Sequence, residues 1–392
     1  MRILWSSTVF SCHSGYGVVS KELISRLRKQ GHFIRLATKH AYPHWQIVDG
    51  VEVFEGTNLA IINEMLKAEK FDFLFTLYDI WLLHGKRHPI HDKWISYCPI
   101  DTEWISDVLA EVCLGSDPNP LEDKKRGPKY HIAMSRHGQR ELKSIGLKPM
   151  YAPLGVDSKI FRPNPEGRKA VRDEFGWTDK NFVIGSVGLN YGDDRKGFIP
   201  LMRAYKRFKE IHPEARLYLH THMDGKYPGT INYTQIAKKI GLTDIAYPHQ
   251  ASNDIGRIDE EWLNDVYNSF DIFCLSTRGE GFGLPLLESQ ACGVPVITTA
   301  TTTGPELAGK TGWLIPVRSD HLRYLPNNTF RYEVGEEGVL ECLESAYDAW
   351  KYGDWQKIKD KAREFSLAYD WDNVWDKYFS RIFKYLESQL SF

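Results

Sequence analysis

The sequence predicts an α/β protein built from two doubly wound units, each a mostly parallel sheet with helices on both faces. Three observations carry that prediction. Apolar runs of strand length alternate with segments whose apolar residues recur every three to four positions. The alternation stops near residues 149–165, where YAPLGVDSKIFRPNP breaks the periodicity with Pro and Gly, and then starts again. A chain of 392 residues has the length of two domains rather than one.

The elements follow in order. MRILWSSTVF reads as a strand at 2–8, because it lacks the long apolar region and small-residue cleavage site of a signal peptide. After the loop SCHSGYG, Val19, Leu23 and Leu27 fall at i, i+4 and i+8, one face of a helix that Gly31 closes. A strand at 32–38, a helix at 61–67 and buried strands at 71–77 and 94–99 complete the first series. The second series has strands at 182–187, 216–221, 245–247, 272–276 and 294–298, with helices at 197–211 and 284–292. Near the end, Trp375, Phe379, Ile382, Phe383, Leu386 and Leu390 line one stripe of an amphipathic helix that packs on the fold. Its polar face is not especially basic, which disfavours a lipid surface.

Composition excludes several classes. With 50 basic and 51 acidic residues the formal net charge is −1, so no global field draws nucleic acid. No apolar run approaches the ~18–20 residues of a spanning helix. Cys12, Cys98, Cys113, Cys274, Cys292 and Cys342 are scattered without a C-x-x-C, which argues against a disulfide framework or zinc site and for a cytoplasmic location. The densest charge cluster, EDKKRGPK at 122–129, is either a solvated loop or a contact for an anionic acceptor or phospholipid.

Ligands of doubly wound sheets bind beyond the carboxyl ends of the strands, so the loops there are the places to search. Ser14-Gly15-Tyr16-Gly17 lies between the first strand and first helix, where glycines allow close backbone approach to an anion, without the full dinucleotide spacing. GLNYGDDRKG, at 188–197, sets Arg195 and Lys196 before a helix, a cation pair suited to a diphosphate. Asp193 and Asp194 there either suggest a metal or pair with the adjacent Arg and Lys. TRGEGFGLPLLESQACGVPVI, at 277–297, is the strongest segment. Its glycine loop can turn the N–H groups of Gly281, Phe282, Gly283 and Leu284 toward one anion. Glu280 and Glu288, eight positions apart, can accept hydrogen bonds from the hydroxyls of two sugar rings. In TTTGPELAG, at 301–309, Glu306 either caps a helix or touches the ligand.

These residues resemble a known family. EGFGLPLLES looks like the E-x7-E signature of retaining GT-B glycosyltransferases, specifically glycosyltransferase family 4. MSRHGQREL (134–142), APLGVDSKIFRP (152–163), DRKG (194–197), TGWLIP (311–316) and YDWDNVWDKY (369–378) agree in order and spacing. The resemblance implies a GT-B fold: an acceptor-side domain at 1–155, a nucleotide-sugar domain at 156–370, and a C-terminal helix at 371–392 returning to the first domain. Carried over residue by residue, it gives Glu280 the donor sugar hydroxyls and Glu288 the nucleotide ribose. Lys196 and Arg195 take the diphosphate, residues 281–284 supply backbone donors, and Gly15 and Gly17 approach the donor phosphate from the first domain. Two departures stand out. The family's Arg after the strand ending Val187-Gly188 is replaced by Leu189 and Asn190, which leaves Asn190 as a donor contact and more of the charge to Arg195. The family's first-domain cleft His is absent from YCPIDTEW (97–104), where Asp101 is either the polar group by the reacting carbon or a helix N-cap; His13 is a second, weaker candidate, and His131 and His137 read as structural or exposed.

The implied activity is transfer of a hexose from a UDP- or GDP-sugar to a hydroxyl acceptor, with retention and without a metal or other cofactor. The acceptor is a glycan, a lipid-linked or small molecule, or a protein, with peripheral membrane contact left open. The rival readings are a GT-B epimerase or phosphorylase and a non-catalytic nucleotide-sugar or glycan-binding protein; no motif for a pyridoxal-phosphate lysine is evident.

Overall fold

The computed structural model describes residues 1–8, 14–38, 45–55, 59–85, 91–116, 127–190, 192–248 and 259–390. Two units divide it: Met1–Leu154 with Tyr324–Thr329 and Asp372–Phe392, and Gly155–Arg323 with Phe330–Trp371.

The first unit contains β1 (Arg2–Ser6), α1 (Gly15–Lys29), β2 (Phe33–Thr38), β3 (Trp45–Val48), β4 (Val51–Glu55), α2 (Leu59–Ala68), β5 (Phe73–Thr76), β6 (Trp94–Cys98), α3 (Asp107–Leu114), β7 (Tyr130–Ala133), α4 (Arg136–Ser144) and β8 (Met150–Tyr151). The sheet order is β3-β4-β2-β1-β5-β6-β7-β8, parallel except for the β3–β4 hairpin. Central strands covered on both faces read as unbroken apolar runs, and Trp5 of β1 stacks on Phe75 of β5 at 3.9 Å in that core. On α1 the buried stripe includes Val19, Leu23, Ile24 and Leu27. The closing segment of the chain packs here too: Phe379 meets Tyr97 and Phe383 meets Phe75, with ring centroids 5.7 and 6.2 Å apart.

The second unit contains α5 (Pro165–Glu174), β9 (Phe182–Val187), α6 (Phe198–Ile211), β10 (Ala215–His220), α7 (Tyr233–Lys239), β11 (Ile245–Ala246), α8 (Glu260–Ser269), β12 (Ile272–Leu275), α9 (Leu284–Ala291), β13 (Val296–Thr299), α10 (Gly304–Leu307) and β14 (Trp313–Ile315). The hairpin strands β15 (Leu322–Leu325) and β16 (Thr329–Tyr332) follow, then α11 (Glu336–Tyr352) and α12 (Trp355–Leu367). The last helices, α13 (Trp371–Val374) and α14 (Ser380–Ser388), joined through a π turn at Trp375–Phe379, belong from Asp372 onward to the first unit. The main sheet is wholly parallel, in the order β11-β10-β9-β12-β13-β14. Taking β9 as first, this is the order 3-2-1-4-5-6 of a Rossmann unit, which reverses between β9 and β12. Phe182, Phe198, Phe208, Leu217 and Tyr347 fill the core on one face.

On the other face, Gly185 of β9 leaves room for Phe270: a Cβ at 185 would stand 2.1 Å from Phe270 Cδ2. Gly185→Ala should therefore cost about 1–3 kcal/mol through overpacking, read as a lower midpoint when the full chain is unfolded in denaturant. An unchanged midpoint would show that Phe270 can move aside freely.

Candidate functional site

The order reversal in the second unit puts the loop after β9 (188–197) beside the loop after β12 (276–283). The two are stitched together by hydrogen bonds. Ser276 Oγ donates to the Gly197 carbonyl at 2.7 Å and Thr277 Oγ1 to the Arg195 carbonyl at 3.1 Å, and the Arg278 N–H donates to that same Arg195 carbonyl at 2.8 Å. Gly197 makes the approach feasible. It has φ +73°, and a Cβ there would fall 1.7 Å from the Ser276 carbonyl oxygen. Only glycine fits both the backbone and the gap.

The stitching brings charge together. Glu280 is 6% exposed. Lys196 Nζ lies 2.7 Å from its Oε1 and Arg195 Nη1 3.3 Å from the same oxygen, with Thr277 Oγ1 3.0 Å away and able to share its proton between this oxygen and the Arg195 carbonyl. Burial alone would push this carboxyl up; the Lys196 and Arg195 charges outweigh it and hold the group down at about 2. Arg195 also donates to the Gly279 carbonyl at 2.6 Å. Arg195 and Lys196 thus stand together beside a glycine turn, a cation pair with backbone N–H groups close by that can meet an anion.

Glu288 sits one turn inside α9, which starts after Gly283 at φ +107°. Its partner is a neutral phenol: Tyr267 of α8 donates to Oε2 at 2.7 Å. Here burial wins and pushes the carboxyl up to about 7. The two acids of one loop–helix segment thus have opposite proton affinities.

The structure brings Arg195, Lys196 and Glu280 together and sets Gly281, Phe282, Gly283 and Leu284 as the turn into α9. The remaining sequence-derived residues need individual placement. Asn190 is buried and holds the backbone of a neighbouring loop, donating to the His222 and Ile231 carbonyls at 2.6 and 2.7 Å and accepting from Ile231 N–H at 2.9 Å. Gly15 and Gly17 do not precede the first helix; they open it, and the Gly17 N–H is taken by the N-cap Ser14 at 3.1 Å. Asp101 is not a helix cap, because α3 starts at Asp107 and Ser106 caps it. It lies instead near Tyr16, whose phenol donates to Asp79 at 2.9 Å; burial, then Asp79 and Asp101, push that phenol up. Asp193 and Asp194 do not pair with Arg195 and Lys196. Asp194 caps α6 through the Phe198 N–H at 3.0 Å and faces Arg278, while Asp193 takes Arg323 at 3.1 Å. Glu306 sits in the first turn of α10 and is not its cap.

His131 is buried, and burial pushes its imidazole down to about 4. His137 is buried too, with Nε2 at 2.8 Å from the Thr102 carbonyl. Cys12, His13 and residues 122–126 and 249–250 lie outside the described residues. Among the described residues five cysteines are free and buried, and no three His, Cys, Asp or Glu side chains group as a metal site. Sequence reasoning missed Thr277 and Arg278, although both lie in the segment it singled out; nothing in the sequence marked Tyr267 as the partner of Glu288.

Residues 181–322 match the family model described as Glycosyl transferases group 1. The chain is similar to a GDP-mannose-dependent monoacylated alpha-(1-6)-phosphatidylinositol monomannoside mannosyltransferase of Corynebacterium glutamicum, 32% identical over 198 residues and 48% of each chain. It spans about half or less of the length of the curated relatives it matches. Among solved structures it is similar to sucrose-phosphate synthase from Thermosynechococcus elongatus, with TM-score 0.72 and 16% identity over 99% of this chain and 100% of that one. It is also similar to Anabaena Alr3699/HepE in complex with UDP-glucose, with TM-score 0.67 and 15% identity over 100% and 99%. Likeness at this identity shows the fold, a GT-B architecture of two Rossmann-like units.

The raised pKa of Glu288 has a sign that can be measured. Below about 4.5 the group is protonated whether the chain is folded or not; between there and about 7 only the folded state holds the proton. Stability attributable to Glu288 is therefore present at low pH and lost as pH rises through about 7. The difference in melting temperature between the ligand-free chain and Glu288→Gln should change across pH 5 to 8 in that sense. Parallel profiles would show that the carboxyl titrates as it does in water.

Proposed function

We propose that this chain, whose residues 181–322 belong to the glycosyl transferases group 1 family, is a retaining glycosyltransferase that moves a hexose from a UDP- or GDP-sugar to a hydroxyl acceptor. The observation that carries the reading is Glu280, buried and ionised between Lys196 and Arg195 at the order reversal of a Rossmann-type sheet. A donor needs a positive contact for its diphosphate, an acceptor of hydrogen bonds for its sugar, and a second such acceptor for its ribose. Lys196 with Arg195, Glu280 and Glu288 supply these in turn. Relatives named for GDP-mannose and a neighbour in complex with UDP-glucose support the donor class. A relative that acts on a phosphatidylinositol mannoside supports a lipid-linked acceptor as one choice.

In the proposed reaction the bond from the anomeric carbon to the diphosphate oxygen breaks through an oxocarbenium-like state. The departing oxygen takes the acceptor's proton, and the acceptor oxygen bonds to the same face. Lys196 and Arg195 stabilise the charge that grows on the diphosphate, with the N–H groups of the turn into α9 beside them, so the reaction as written calls for no metal. Glu280 holds the sugar hydroxyls in register with that charge. Roles for Asp101, Gly15 and Gly17 rest on the family resemblance alone.

The test begins with thermal-shift titration against UDP-, GDP- and ADP-sugars. One nucleotide class should raise the melting temperature, and Glu288→Ala should weaken that shift. With that donor, Lys196→Ala and Glu280→Ala should each lower turnover about 10²–10³-fold. Near-wild-type turnover in both variants would overturn the site assignment. Binding without donor consumption, against a panel of acceptors, would favour a binding protein on the same scaffold.

A further inference from the structure

We propose that Arg278 is a positioning residue for the diphosphate clamp, acting through the backbone of residues 193–195 as part of a brace with Glu333 and Arg323. The inference rests on the nucleotide-sugar reading above and adds a residue set to it.

Arg278 is 6% exposed, although it lies two residues before Glu280 in a loop where a solvated arginine would be unremarkable. Its guanidinium does not reach Glu280; it turns to the back of the clamp loop. Nη1 donates to the Asp194 carbonyl, with the Asp193 carbonyl and Asp194 Oδ2 both at 3.4 Å. Nε donates to Glu333 Oε2 at 2.7 Å. The other oxygen of Glu333 takes Arg323 Nε, and Arg323 Nη1 returns to the same loop, to the Asp193 carbonyl at 2.9 Å and its carboxylate at 3.1 Å. A closed ring therefore runs from Arg278 through Glu333 and Arg323 to Asp193 and back through Asp194.

What the ring holds is the segment least able to hold itself. Asp194 sits at φ +61°, a left-handed conformation uncommon for a residue with a Cβ. Its carboxylate is spent on the first N–H groups of α6 and on the Tyr233 hydroxyl at 2.9 Å. The next two residues are Arg195 and Lys196. Their side chains reach Glu280 only because the peptide before them is fixed, and arginine is suited to fixing it: the planar fork grips a carbonyl and a carboxylate at once, which an ammonium cannot do in one fixed geometry. Arg278 and Arg323 face the carboxylates of Glu333, Asp193 and Asp194, so the brace offers no spare positive charge and its effect on a bound diphosphate comes through where it puts Arg195 and Lys196.

A double-mutant cycle tests this. Turnover and the KM values for donor and acceptor are measured for the full chain, for Arg278→Lys, for Glu333→Gln, for Lys196→Ala, and for each brace variant combined with Lys196→Ala, with melting temperatures as the check on folding. Arg278→Lys should lower kcat about tenfold or more with acceptor KM unchanged, and Glu333→Gln should lower it less. Combined with Lys196→Ala, each brace variant should cost less than it does alone, because one of the two cations it positions is already gone. Additive losses in the double variants, or near-wild-type kcat in both single ones, would overturn the proposal. Should Arg278→Lys fail to fold, the Glu333→Gln cycle decides it alone. A wild-type chain that turns over none of the nucleotide sugars would instead overturn the transferase reading, and this inference with it.

Discussion

Burying a carboxylate without a counter-charge is costly enough that the group takes up a proton instead. Glu280 is buried and stays ionised, and that constraint organises the second unit. Its compensation comes from a different loop, so the chain after β9 must be brought against the chain after β12 within hydrogen-bonding distance. This explains the left-handed glycine at 197, the hydroxyls of Ser276 and Thr277 aimed at the facing carbonyls, and the buried arginine at 278 behind them. None of these residues is needed by a Rossmann sheet as such. They serve the meeting of the two loops.

The contrast with Glu288 shows which effect wins. Both acids are desolvated. Opposite charges about 4 Å apart attract by on the order of 4 kcal/mol at an effective dielectric near 20, whereas a hydrogen bond from a neutral group contributes about 1 kcal/mol. Glu280 has two cations and falls to about 2; Glu288 has Tyr267 and rises to about 7. In the proposed reaction a diphosphate approaching Lys196 and Arg195 would compete with Glu280 for them, and sugar hydroxyls would offer Glu280 new donors as it gave them up. The ion pairs hold the cations in place before a ligand arrives, which limits the reorganisation left to be made when it does.

Much of this was legible in the sequence, and the failures have physical causes. The strand at Phe182–Val187 and the helix from 284 were read almost to the residue, because buried parallel strands leave unbroken apolar runs and glycine–proline punctuation marks the helix start. The β3–β4 hairpin was overlooked although Asp49-Gly50, both at positive φ, is a strong turn signal; its strand Trp45–Val48 is only partly covered and so carries weak alternation. In the site, Arg195, Lys196 and Glu280 were legible as residue types beside glycines. Their pairing was not, because it spans 84 positions of sequence. The same limit misassigned Asp193 and Asp194, whose neighbours in sequence are cations but whose neighbours in space are Arg278 and Arg323.

The two sheets share a strand logic, with a reversal beside the first strand of each, yet they differ in charge where it matters. In the first unit the segments that follow β1, β5 and β6 bring together a phenol and carboxylates: Tyr16 donates to Asp79, and Asp101 lies close enough to act on the same phenol. In the second unit the corresponding loops hold a cation pair against Glu280 beside a glycine turn. Carboxylates repel a diphosphate, whereas a pair of cations beside the backbone N–H groups of a glycine turn can meet one. Strand order alone would allow either unit to take the nucleotide. Under the proposed function, the cation pair at the reversal favours the second unit for the diphosphate, and the phenol and carboxylates of the first would suit a neutral hydroxyl substrate.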